Sequence, residues 1–229
     1  MLHELDNNIL TLESRVQLLP RSEPIRSRCI ERLATARLTR HQISGQKGDL
    51  DEAIIRFTEA TFLRRPWGPS SPTEFTIGQL IDLLAHSILS RANRFKQPDD
   101  VKCCIMYFRH LREQFRDIFP DQHVIAGLVC AMAIQVELKF EDADEEIEEM
   151  AGLCDELLNS DVSRELLTAT IRSFLKINAL RPRFGPILKS ERVISCLRKA
   201  IVQLPELHDI SLNLVHQGKP ELLTRVKPS

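Results

Sequence analysis

Two cysteines and two histidines, Cys103, His110, His123 and Cys130, are the nearest thing in this chain to a nucleophile or metal set. Thiolate and imidazole can share a zinc ion or pair as nucleophile and base, given ligand spacing or a carboxylate that orients the imidazole. Neither condition is met. Helical periodicity places the four on different elements, so each reads as an ordinary surface or core position. The run Glu141, Asp142, Asp144, Glu145, Glu146, Glu148 and Glu149 could hold a cation, but it lacks the alternating aspartates and glycine that wrap calcium. Carboxylates crowded there complement the positive end of a helix dipole instead. No Gly-x-x-x-x-Gly-Lys-Ser/Thr or Gly-x-Gly-x-x-Gly loop occurs to cradle a phosphate. Arg181, Arg183, Lys189, Arg192, Arg198 and Lys199 form a basic stretch that reads as a solvated face set against the acidic run, with docking of an acidic partner as the alternative. No catalytic residue, cofactor or metal is expected.

The elements that position these side chains are helices. Only 8 of 229 residues are glycine, and long stretches lack both Gly and Pro, which favours helices joined by short loops. With 43% hydrophobic and 28% charged residues, the chain has the composition of a folded protein rather than a disordered one. A net charge of −1 with interspersed signs gives no electrostatic footprint for nucleic acid and no polybasic patch for a membrane. The first residues lack the basic and apolar regions of a secretory signal, and the apolar run 124–136 is too short to span a bilayer. Six cysteines without C-x-x-C spacing are then expected to be reduced in a cytoplasmic protein, with the vicinal Cys103–Cys104 pair as a redox-sensitive alternative.

The helices come in pairs. Ala53, Ile54, Phe57, Ala60 and Leu63 recur at three- and four-residue spacing, with Asp49 or Asp51 available to cap the helix start and Pro66 beyond its end. Upstream, Cys29, Leu33, Ala34, Ala36, Arg37 and Leu38 make an earlier helix with small residues where a partner packs. Shifted by 51 positions (91 − 40), Arg40 falls on Arg91, Asp49 on Asp100, Ile54 on Ile105 and Phe57 on Phe108. A third pair starts at Ala126, and a fourth joins residues 164–179 to Ile194, Leu197, Ala200 and Leu204. The repeats run over about 24–65, 74–116, 120–160 and 162–204 of a single domain 1–229, with half-repeats at 1–19 and 205–217. Each pair is unable to bury its apolar face alone, so the pairs are expected to stack into an all-α, right-handed α-solenoid of antiparallel hairpins. Residues 65–72 and 181–186 are expected to be loops between repeats. The half-repeats would leave apolar faces uncovered, so self-association through the ends is expected.

Gly48-Asp49-x-Asp51-Glu52-Ala53-Ile54-x-x-Phe57-x-x-Ala60-x-x-Leu63 resembles the second half of a tetratricopeptide (TPR) repeat. The longer first helix and loop, with the segments 97–105, 147–161 and 196–205, resemble the TPR-like arrays that precede CHAT caspase-like domains in mushroom-forming fungi. The resemblance covers most of residues 20–210. It implies a non-catalytic scaffold that presents a concave surface to a peptide or protein partner. The alternative it implies is a regulatory or sensing fragment that works with a CHAT-type protease in cis or in trans. The His-Gly dipeptide of such a protease is missing, because none of the seven histidines precedes a glycine. In TPR stacks the first helices line the groove, which by this resemblance places Arg28, Glu31, Thr35, Gln79, Asp82 and His86 at the partner-binding face. The Lys and Asn that clamp a C-terminal carboxylate in chaperone-binding TPR proteins would fall at Glu31, Thr35, Asp82 and His86. None matches, and two are acidic, so a basic or apolar segment is the expected ligand.

Overall fold

The computed structural model describes residues 2–21, 23–64, 77–116, 121–139, 143–180, 190–204 and 207. The expected inter-repeat loops 65–72 and 181–186, and all of the C-terminal half-repeat except Leu207, lie outside them. The described residues are all-helical, without strands: α1 (Leu2–Leu18), α2 (Pro24–Ser44), α3 (Lys47–Leu63), α4 (Ile77–Phe95), α5 (Pro98–Gln114), α6 (Asp121–Lys139), α7 (Asp144–Leu158), α8 (Arg164–Leu180) and α9 (Glu191–Gln203). The chain divides into two compact units, Met1–Phe119 and Pro120–Ser229.

In the first unit each helix packs on the next, α1 on α2, α2 on α3, α3 on α4 and α4 on α5. Its two hairpins, α2–α3 and α4–α5, match position by position at the 51-residue shift. Ile30 and Ile81, Leu33 and Leu84, Ala34 and Ala85, Leu50 and Val101, Ala53 and Cys104, Ile54 and Ile105 are all buried. Phe57 and Phe108, both 0% exposed, fill the same place in each hairpin. Ala34 and Ala85 are small and fully buried on the partner helices, and Cys104 Sγ of α5 reaches the Ala85 carbonyl at 3.7 Å.

The turns also recur. Helix α2 ends at Gly45, whose φ of +71° is left-handed and whose N–H donates to the His41 carbonyl at 2.7 Å. At the equivalent place after α4, Lys96 takes φ +51° and donates to Ala92 O at 2.8 Å. Gln46 and Gln97 follow in extended conformation, and the second helices begin directly after them. Neither Asp49 nor Asp51 caps α3, contrary to expectation, since Gln46 is the residue at the cap and makes no side-chain cap bond. Both aspartates are taken by arginines instead.

Those arginines sit near the ends of the first helices. Arg40 Nε donates to Asp49 Oδ2 at 2.8 Å and its Nη1 to Asp6 Oδ1 of α1 at 2.7 Å. Arg91 grips Asp100 with Nε and Nη2 at 2.8 and 2.7 Å, and reaches back with Nη1 to Asp51 Oδ1 of α3 at 2.9 Å. Each guanidinium therefore joins the start of its own second helix to the start of the preceding one. The end of α2 or α4 thus meets the beginnings of two helices, so both first helices run antiparallel to neighbours that are parallel to each other. Donating hydrogen bonds to Asp49 and Asp6 raises the Arg40 pKa further, and donating to Asp100 does the same for Arg91, so both stay charged at any working pH. Arg37 supports the first clamp by donating to Asp49 at 3.0 Å and to Glu13 of α1.

In the second unit α6 packs on α7 and α8, and α7 packs on α8 and α9. Helix α6 is buried at every position from Val124 to Val136 except Cys130 and Gln135, as its apolar sequence requires of a helix covered on several sides. The acidic residues Asp144, Glu145 and Glu146 do form the first turn of α7, while Glu141 and Asp142 lie outside the described residues. Ser190 caps α9 by accepting from the Val193 N–H, and Lys199 of α9 reaches Asp155 of α7 at 2.5 Å. Gly152 leaves room for the Arg192 guanidinium, which a Cβ at that position would meet.

Candidate functional site

The six positions expected to face a partner lie on two helices of the first unit, Arg28, Glu31 and Thr35 on α2 and Gln79, Asp82 and His86 on α4. Helix α3 packs on both. Arg28, Gln79 and His86 are exposed, and Thr35 and Asp82 are half-buried.

Glu31 departs from the expectation. It is 4% exposed, with its Oε1 2.6 Å from Arg64 Nη2 at the end of α3 and 3.4 Å from the Ser27 hydroxyl, which donates to it. Burial pushes its carboxyl above the ordinary range, against the opposing pull of Arg64, Arg28 and Arg32. The same burial lowers the Arg64 guanidinium. Nearby, Arg26 donates to the Val16 and Leu19 carbonyls at the end of α1 and lies 3.6 Å from Glu59. Glu31 is therefore part of the internal polar packing of the first hairpin, and the charged side chains exposed on this part of α2 are Arg28 and Arg32.

Asp82 holds the position equivalent to Glu31 at the 51-residue shift. Its Oδ1 is 3.5 Å from His86 Nε2. The His86 ring stands edge-to-face on Phe108, centroids 5.0 Å apart, so the core phenylalanine of the second hairpin supports a side chain that remains 44% exposed. Thr35 spends its hydroxyl within α2, donating to the Glu31 carbonyl at 2.9 Å. What the face offers is thus two arginines at one end and an aspartate–histidine pair with a glutamine at the other.

Arg64 and Arg26 were not anticipated. Arg64 at the end of α3 reads as a complement to its dipole and Arg26 in the first turn of α2 as a charge opposed to it, and no local pattern says that either will reach a neighbouring helix.

The cysteine–histidine candidates are divided between the two units. Cys103 and His110 belong to the first unit, His123 and Cys130 to the second. His110 packs edge-on against Phe115 at 5.9 Å, and Cys130 Sγ lies 3.7 Å from the Ser173 hydroxyl. Burial pushes the Cys104 and Cys130 thiols up, and hydrogen bonding with Cys196 together with burial does the same for Cys154. All three thiols are thereby held in the protonated, weakly nucleophilic form. Of the basic stretch, Arg192, Arg198 and Lys199 are on α9, while Arg181, Arg183 and Lys189 lie outside the described residues. Among the described residues no group of three or more His, Cys, Asp or Glu could hold a metal ion, and no helix is long and apolar enough to cross a membrane. Compared with protein-family models, with curated proteins and with solved structures, the chain matches none of them.

Proposed function

We propose that the chain is a non-catalytic interaction scaffold, a right-handed α-solenoid of TPR-like hairpins whose first helices offer a face to a peptide or protein partner. The observation that carries this reading is the residue-level recurrence of the first unit: core, left-handed turn and arginine clamp all return after 51 positions (Arg40 to Arg91). Repeated modules of this kind bury their apolar sides against each other and leave a rigid outer face whose side chains are free to vary with the ligand. The α2 end of that face, with Glu31 withdrawn and Arg28 and Arg32 exposed, suits a partner carboxylate rather than the basic or apolar segment expected from the sequence. The α4 end, with Gln79, Asp82 and His86, suits polar backbone or amide groups.

Crosslinking and mass spectrometry of the full chain in its native cell tests the reading. Crosslinks to one partner should map to α2 and α4 and be lost in an Arg28→Glu, His86→Glu variant that keeps its helical content. Reproducible amidase or phosphatase turnover by the purified chain, abolished by a Cys→Ala substitution, would overturn it.

A further inference from the structure

The core of the second unit holds a pair of thiols that the proposed partner face does not use. Cys154 of α7 and Cys196 of α9 are 0% and 1% exposed, both are free, and their thiols are hydrogen-bonded to one another. The residues around them fix the register independently. Arg192, Cys196, Lys199 and Gln203 follow one side of α9 at four-, three- and four-residue steps. Arg192 lies against Gly152 of α7, Lys199 reaches Asp155 at 2.5 Å, and Gln203 Nε2 donates to the Leu158 carbonyl at 3.3 Å. These partners ascend α7 in the same order, so the two helices run parallel and Cys196 comes level with Cys154. The third thiol of this unit, Cys130 of α6, is hydrogen-bonded to the Ser173 hydroxyl of α8 instead. Cys103 and Cys104, though adjacent in sequence, leave α5 in different directions, one exposed and the other buried.

We infer that Cys154 and Cys196 are a thiol–disulfide modification site, which a low-molecular-weight disulfide of the oxidised-glutathione class converts into a covalent link between α7 and α9. Both sulfurs are covered in the closed core, so exchange follows local opening of α9, whose main neighbour among the described helices is α7. Once in water, the Cys196 thiol loses its proton and the thiolate attacks the oxidant. A mixed disulfide forms, and one small thiolate leaves and takes up the proton. As α9 returns, Cys154 loses its proton and attacks the Cys196 sulfur, releasing the second small thiol. Two protein thiols are thereby oxidised while one small disulfide is reduced to two thiols. Sulfurs that rest in hydrogen-bond contact need only a small side-chain movement to reach bonding distance. The link closes a loop that contains α8 and holds α9 on α7, so the oxidised unit opens less readily.

Incubating the full native chain with oxidised glutathione, then blocking free thiols and mapping peptides by mass spectrometry, tests this. The expected product is a Cys154–Cys196 disulfide, reversed by dithiothreitol, absent in Cys196→Ala and retained in Cys130→Ala. Amide hydrogen exchange in α9 should slow by at least about tenfold in the oxidised chain. Mapping the unsubstituted chain keeps the test decisive even if Cys196→Ala disturbs the core. Cys154 and Cys196 both remaining free, a link from Cys154 to Cys130 in their place, or α9 exchange indifferent to the bond would overturn the inference.

Discussion

Replacing Arg91 by methionine removes three hydrogen bonds and keeps most of the side chain's apolar stem. The loss falls mainly on Asp100, whose side chain is 9% exposed and which loses both of its donors. A fully buried carboxylate stripped of its partner costs roughly 3–5 kcal/mol. Asp100 keeps a little access to water, and the half-exposed Asp51 arm is worth no more than about 1 kcal/mol. The expected loss is about 2–4 kcal/mol. With a urea m-value of about 2 kcal/mol/M, the midpoint followed by far-ultraviolet circular dichroism should fall by roughly 1–2 M without a change of slope. Arg40→Met should cost less, because Arg37 still donates to Asp49 at 3.0 Å. Arg91→Met combined with Asp100→Asn should recover about 1–3 kcal/mol relative to additivity. A single-variant loss below about 0.5 kcal/mol, additive behaviour of the pair, or an Arg40 effect larger than that of Arg91 would refute this account of the clamps.

Phe57→Ala and Phe108→Ala, at two fully buried equivalent sites, should each cost roughly 3–5 kcal/mol by denaturant unfolding, and near-equal losses are expected from their shared register. Lys96→Gly should stabilise by about 0.5–1 kcal/mol by relieving a left-handed backbone, whereas Gly45→Ala should destabilise by about 1 kcal/mol although the nearest atom to an added Cβ is 3.7 Å away. Melting temperatures of the two variants should move in opposite directions. Glu31→Leu alone should cost about 3 kcal/mol by stranding Arg64, while Glu31→Leu with Arg64→Met should return to within about 1 kcal/mol of the parent in the same unfolding assay. Burial pushes Asp49 up, but hydrogen bonds from Arg40 and Arg37 more than offset it and hold its pKa below the ordinary value. Its stabilisation is therefore present above the unfolded value of about 3.9 and lost as pH falls through the lower folded value, so Asp49→Asn should flatten the acid limb of stability against pH.

Much of the first unit was legible because its signals are local and repeated. The stripe Ala53, Ile54, Phe57, Ala60 has a helix period, and its copy around Phe108 fixed the register of the second hairpin before any coordinates. The pairing of Arg40 with Arg91 and of Asp49 with Asp100 was visible as an alignment, but its cause was not. Aspartates near a helix start are ordinarily caps, and only tertiary structure turns them toward a guanidinium nine residues back. Glu31 was misplaced for a related reason. Helical spacing puts it on the same side as Arg28 and Thr35, and what buries it is Arg64, which arrives from the far end of another helix.

The two clamps have a bearing on how the first unit comes apart. Linear arrays held only by adjacent stacking can fray from an end, one module at a time. Here Asp6 of α1 and Asp49 of α3 share one cation, and Asp51 of α3 and Asp100 of α5 share another, with α3 serving both. Peeling off α1 takes Asp6 from Arg40, and peeling off α5 takes the buried Asp100 from Arg91, so partial melting is penalised at either end. The coupling between modules rises at the expense of independent ones, and these helices should melt together as a single cooperative block.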